Sequence, residues 1–202
     1  VNYLWPLLIV FGSALLPGER LRWFHLAGAA LGLAGVALIV GGAGVAFRPE
    51  HAGGYALAAL SALTWASYSL LSRRFANVPS DVVTGFCLAT AILSLIAHLL
   101  FERTVWPEGA GQWGAVALLG LLPVGAAFYV WDAGMKRGDI QVLGAASYAA
   151  PLLSTLVLVA AGEARATGAL ALATLLITAG AVLAALPLFR RLLAGRGAPS
   201  SR

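Results

Sequence analysis

Residues 148–163, YAAPLLSTLVLVAAGE, repeat a pattern already written at residues 3–19, YLWPLLIVFGSALLPGE. Each stretch runs Tyr, two residues, Pro-Leu-Leu, an apolar run, then Gly-Glu. Tyr3 and Tyr148 are 145 residues apart, as are Pro6 and Pro151, while the Gly-Glu pairs ending in Glu19 and Glu163 are 144 apart. The likeness continues past the turn, where LAGAALGLAGVALI (26–39) is echoed by LALATLLITAGAVLA (170–184), aligning Gly35 with Gly180.

Both copies sit in a chain that is 60% hydrophobic and only 10% charged, where a soluble domain carries roughly 25% charge. The charges cluster, leaving uncharged runs at 1–17, 23–47, 52–72, 82–101, 109–131, 140–162 and 166–189. A helix needs roughly 20 apolar residues to cross a bilayer. One such run could be a soluble core, but seven in succession read as an all-α polytopic membrane protein with seven transmembrane helices. No basic segment precedes the first run and no cleavage-type ending follows it, so it lacks the layout expected of a signal peptide.

Basic residues alternate by loop. Arg20, Arg22, Arg73, Arg74, Lys136, Arg137, Arg190, Arg191, Arg196 and Arg202 fall on one side, and Arg48, Arg103 and Arg165 on the other. This is a positive-inside bias, and it places the C-terminus in the cytoplasm with the first span running inward. The net charge of +5 therefore reports topology rather than nucleic-acid binding. Trp23, Phe24, Trp106 and Trp113 lie near span ends as interface anchors, and His25 and His98 read as interfacial too. Cys87, the single cysteine, reads as a small hydrophobe.

The repeat then acquires a direction. Its first copy fills span one and its second fills span six, so the period is five helices, and an odd period inverts the second unit. Inverted repeats around a midplane site are an architecture of secondary transporters. A first copy at helix four of five implies ten helices in the whole protein, with three and part of a fourth preceding Val1. The sections expected are 1–47 (two helices ending the first repeat), 52–189 (five helices of the second) and a basic cytoplasmic tail, 190–202.

NYLWPLLIVFGSALLPGERLRWFHLAGAALGLAGVALIV resembles the last two helices of an EamA domain of the drug/metabolite transporter superfamily. YALAALSALTWASYSLLSRRF and WDAGMKRGDIQVLGAASYAAPLLSTLVLVAAGE resemble the start and core of a second EamA domain. The aromatic NYLWP and LTWASYS segments look most like YddG-type exporters of aromatic amino acids. The resemblance spans everything but the tail, and it implies export of neutral amino acids across the bacterial inner membrane through a ten-helix basket.

Depth locates candidate site residues. Trp65 lies about 18–20 Å along its helix at 1.5 Å per residue, just past mid-membrane. Ser61, Trp65, Tyr68 and Ser72 share a helical face, which lines a cavity or packs against a neighbouring helix with its hydroxyls bonded back to their own backbone. Tyr3, Trp5, Tyr129 and Tyr148 complete the substrate-binding set, and Pro6 and Pro151 act as hinges or as kinks that shape the bundle. Asn2 is costly in lipid and is expected to face inward. Asp132, followed by Lys136 and Arg137, reads as a helix-end carboxylate paired with that cluster. Gly28, Gly32 and Gly35 have the spacing of close helix packing.

These residues describe a secondary transporter exporting aromatic or neutral amino acids, uncoupled and downhill, since no carboxylate stands at mid-membrane in these spans. The alternative within the superfamily is a proton-coupled multidrug or metabolite exporter. An intramembrane enzyme would need a nucleophile with its base or a metal cluster, and neither G-x-S-x-G nor H-E-x-x-H occurs. No catalytic residue, cofactor or metal is expected. The partners are a small-molecule substrate and the lipid bilayer, with no nucleic acid and a monomer favoured.

Overall fold

The computed structural model describes residues 1–42 and 48–195, excepting the side chains of 42 and 187–195. The end of the first expected section, 43–47, and residues 196–202 of the expected tail lie outside them. Nine α-helices follow in order among the described residues, with no strand: α1 Trp5–Gly12, α2 Trp23–Gly42, α3 Ala52–Arg74, α4 Val82–Phe101, α5 Gly109–Leu121, α6 Ala127–Arg137, α7 Ile140–Ala146, α8 Ala149–Ala160 and α9 Gly168–Gly195.

Among the described residues, five stretches are long and apolar enough to cross a membrane: Trp23–Gly41, Val82–Phe101, Gly109–Arg137, Ile140–Ala160 and Gly168–Leu186. The other two expected spans differ for separate reasons. Asn2–Leu15 is apolar but short. At 23 residues, α3 is long enough, but its serines, Thr64 and two tyrosines dilute its apolarity.

Two of the five are bent by proline. Pro123 has no N–H for the helical ladder, and residues Leu122–Ala126 relax into a π turn between α5 and α6. Between α7 and α8 the bonding tightens instead: Ala150 N–H reaches Ser147 O at 3.1 Å, one residue before Pro151. Trp5 N–H reaches Asn2 O in the same way, one residue before Pro6. The helix starts follow local chemistry as well. Asp139 Oδ1 accepts from Gln141 N and Val142 N, both at 3.1 Å, and so caps α7. Thr167 Oγ1 accepts from Leu170 N at 3.2 Å and caps α9. Gly18 at φ +83° and Gly162 at φ +78° occupy the left-handed region that glycine tolerates, one in each copy of the Gly-Glu turn.

The chain divides into two compact units, one of Val1–Leu71 with the chain from Asp139 onward, the other of Ser72–Gly138. A sequence repeat need not be a contact unit, and the first unit takes helices from both expected sections. Its core gathers Val10, Ala29, Val36, Tyr148, Leu152, Leu170 and Ile177. Along it α2 and α9 meet backbone to backbone. A Cβ on Gly28 would lie 2.5 Å from Gly180 O, and one on Gly35 would lie 2.6 Å from Ile177 Cγ1 and 2.9 Å from Ala173 O. The glycine spacing read from the sequence is therefore a packing seam. Residue numbers rise along α2 as they fall along α9, so the two helices run antiparallel. In the second unit, Val83, Asp132, Met135 and Lys136 are buried.

Candidate aromatic substrate site

Three expected site residues come together in the first unit. The helix α3 turns Ala62, Ala66 and Ser69 inward, each at most 2% exposed, a small-residue strip at i, i+4, i+7 that lets the helix settle against its neighbours. Leu70 adds to that contact by meeting Gly12 of α1. Packing that strip leaves Trp65 and Tyr68 half-buried beside it. Their rings lie 5.5 Å apart at 32°, and Trp5 of α1 meets Trp65 edge-on at 6.3 Å and 87°. Edge-to-face and tilted pairs at these separations are favourable by about 0.5–1.5 kcal/mol beyond their buried area. Pro6, fully buried, anchors Trp5 at the helix start. Trp65 lies about 20 Å from the start of α3 at 1.5 Å per residue. Two planar faces and an edge, with no charge among them, suit an aromatic ring.

The remaining expected residues fall elsewhere. Ser61 is exposed one turn before Trp65, and Tyr3 is exposed on the 3-10 turn Asn2–Leu4 beside an equally exposed Asn2. Tyr148 is 0% exposed and belongs to the core, its ring against Gly32 where a Cβ would collide with it. The backbone of Leu7 lies beside its hydroxyl without completing a hydrogen bond. Tyr129 belongs to the second unit, where its hydroxyl meets Thr84 Oγ1 at 2.6 Å. His25, expected at the interface, is 4% exposed.

One polar grouping escaped the sequence reading, and a second is larger than the sequence reading gave it. In the first unit, Gln141 Nε2 donates to Ser13 Oγ at 3.1 Å. The rule that put Asn2 inward, an amide stranded in an apolar run, applies equally to Gln141. In the second unit, Asp132 pairs with Lys136 as expected, Nζ to Oδ2 at 2.6 Å. The same oxygen also accepts from Ser80 Oγ at 2.6 Å, and Ser72 bonds the carboxylate too. Arg73 Nη1 donates to Lys136 O at 2.8 Å. Among the described residues, no three of His, Cys, Asp and Glu gather as a metal site.

Residues 52–186 match the model of the EamA-like transporter family. The chain is 59% identical over 188 residues to the aromatic amino acid exporter YddG of Ancylobacter novellus, covering 92% of this chain and 65% of the relative. It is 29% identical over 167 residues to the Salmonella typhimurium protein of that name, covering 77% of this chain and 55% of the relative. One crystal structure superposes with a TM-score of 0.89 at 59% identity, covering 92% of this chain and 66% of that one. The chain thus spans between 55% and 66% of the length of these relatives. With the family model matched across all of α3 to α8 and most of α9, this chain belongs to the EamA-like transporter family.

Proposed function

We propose that the intact protein exports aromatic and other neutral amino acids across the bacterial inner membrane, downhill and by alternating access. The observation that carries this reading is the uncharged cluster of Trp5, Trp65 and Tyr68, midway along α3. Relatives named as aromatic amino acid exporters support it. Rings stacked on that cluster gain on the order of 1 kcal/mol per contact, weak enough for a carrier that must release its cargo. Ser61 and Tyr3 serve as further substrate contacts, while Tyr148 is a core residue. Efflux of labelled phenylalanine should slow when unlabelled tyrosine or tryptophan is added and stay unchanged with glutamate or lysine. Equal competition by all four would remove the aromatic cluster as the recognition element.

Alternating access rests on two inverted five-helix repeats in a ten-helix protein, of which seven helices and a basic tail lie in this chain. Several matched details support that symmetry. The starts of α2 at Trp23 and α9 at Gly168 are 145 residues apart, the spacing already shared by the Tyr, Pro and Gly pairs. The tightened turns before Pro6 and Pro151 repeat at the same spacing. Shifting by 145 turns the Gly28–Gly180 contact into the Ala173–Gly35 contact, and both occur. An interface that maps onto itself when its partners exchange has two-fold symmetry, and antiparallel equivalents are what inversion requires. Pro6 and Pro151 are the hinges of the two repeats.

Arg and Lys asymmetry places the loop 73–81 and the C-terminus in the cytoplasm, and the loop at 48–51 outside. With Cys87 replaced, a cysteine at His51 should react with an impermeant reagent on intact cells, and one at Ala76 should not. The opposite pattern would invert the topology.

Proton-coupled exchange is the second reading, favoured by the buried carboxylate of Asp132 inside the Gly109–Arg137 stretch. Its short contact with Lys136 supports a structural pair instead.

A further inference from the structure

The end of α1 and the start of α7 are joined by a sealed polar contact. Ser13 is 0% and Gln141 3% exposed. Gln141 Nε2 donates to Ser13 Oγ at 3.1 Å, and Ser13 Oγ donates onward to Val10 O at 2.7 Å. One turn along α7, Gly144 lies so close to α1 that a Cβ would stand 3.0 Å from Val10 Cγ2 and 3.3 Å from Pro6 O. Ile9, Val10 and Ile140 are all fully buried around this contact.

Three features make the contact a device rather than ordinary packing. First, α7 is a seven-residue arm, bounded by the Asp139 cap at one end and by the break at Ser147–Tyr148 at the other. Second, its partner α1 is an eight-residue rod that starts at the tightened turn before Pro6, so both pieces end at points where helical bonding is already altered. Third, the join is polar. An amide and a hydroxyl that part can each be satisfied by water, so the contact opens reversibly at the cost of about one net hydrogen bond. Buried polar contacts that part reversibly suit a surface that alternates between sealed and wet.

We infer that the Ser13–Gln141 hydrogen bond is the clasp that holds the cytoplasmic end of the transport path closed, with Gly144 allowing the close fit and release parting α1 from α7. This rests on the alternating-access reading and on the proposed orientation, in which both ends face the cytoplasm.

The test uses the intact transporter with Cys87 replaced by Ser. Oxidation of the Ser13→Cys/Gln141→Cys pair should form a disulfide, drop aromatic amino-acid flux to background, and restore it on reduction. A second readout is independent of flux: the labelling of Val10→Cys by a water-soluble maleimide in the monodisperse detergent-solubilised protein. Gln141→Leu and Ser13→Ala should each speed it by about tenfold, the upper end for one hydrogen bond, and the two together should add nothing further. Failure to cross-link, full flux in the oxidised pair, or unchanged labelling at position 10 overturns the clasp. Faster labelling with no flux in any form, reduced protein included, overturns the transport reading and leaves the clasp standing.

Discussion

Asp132→Ala is expected to cost about 3–5 kcal/mol of stability, the usual penalty for stranding one partner of a buried ion pair. The carboxylate side chain is 2% exposed and the Lys136 side chain 6%. Without its partner at 2.6 Å, the ammonium is left in a site that water barely reaches. Ser80 loses the acceptor of its hydroxyl at the same time, as does Ser72, so the segment after α3 comes loose from α6. Replacing both charges, as in Asp132→Leu/Lys136→Met, should recover most of the loss, because apolar replacement of a whole buried pair is often neutral. Thermal unfolding in detergent reads both variants. If Asp132→Ala melts like the parent, the pair contributes nothing to the fold. The functional side separates the two transport readings: Asp132→Asn should leave downhill exchange intact and change no gradient-driven accumulation. Loss of accumulation with exchange preserved would make Asp132 a coupling residue.

Trp65→Ala is expected to lower aromatic amino-acid flux per folded molecule by roughly tenfold to a hundredfold, from the lost stacking and the apolar area that goes with it. Trp65→Phe should keep part of the activity, because the ring face survives and only the indole N–H donor is lost. Trp5→Ala should act in the same direction but less, since Trp5 meets Trp65 edge-on and supports its orientation. A packing role makes a different forecast. Truncating a large core aromatic costs about 3–5 kcal/mol, so the alanine variant would melt early while its surviving molecules carried substrate at the normal rate. Trp65 is only half-buried, so its truncation should cost less stability than that of a fully buried core aromatic. Flux normalised to the folded fraction separates the two, and normal flux per folded Trp65→Ala molecule would remove Trp65 from the site.

The features legible in one sequence were those carried by local chemistry. The glycine spacing of 28, 32 and 35 foretold close packing because a missing side chain has the same consequence in any surroundings. Asp132 was readable because Lys136 stands one turn away on the same helix. What stayed hidden depended on rotation about the helix axis or on distant partners. Tyr148 was read as a counterpart of Tyr3 from their shared position before proline. Equivalent positions in a repeat need not have equivalent neighbours: Gly32 makes room for the buried ring of Tyr148, while Tyr3 is exposed. Gln141 lies 128 residues from its partner Ser13, a pairing that no spacing rule reaches. Counting uncharged runs treated α3 like its neighbours, although hydroxyls lower its apolarity without adding charge. The π turn at Leu122–Ala126 follows from Pro123, yet the choice of π over a plain kink is made by the surrounding backbone.

The central claim is that an uncharged aromatic site passes aromatic amino acids downhill without an ion. Its most direct test is the flux of radiolabelled phenylalanine through the purified intact protein in proteoliposomes, measured with and without a pH gradient. The account predicts saturable flux that equilibrates across the membrane and is the same in both conditions. Accumulation above equilibrium that appears only when the pH gradient is imposed, or no protein-dependent flux at all, would contradict it.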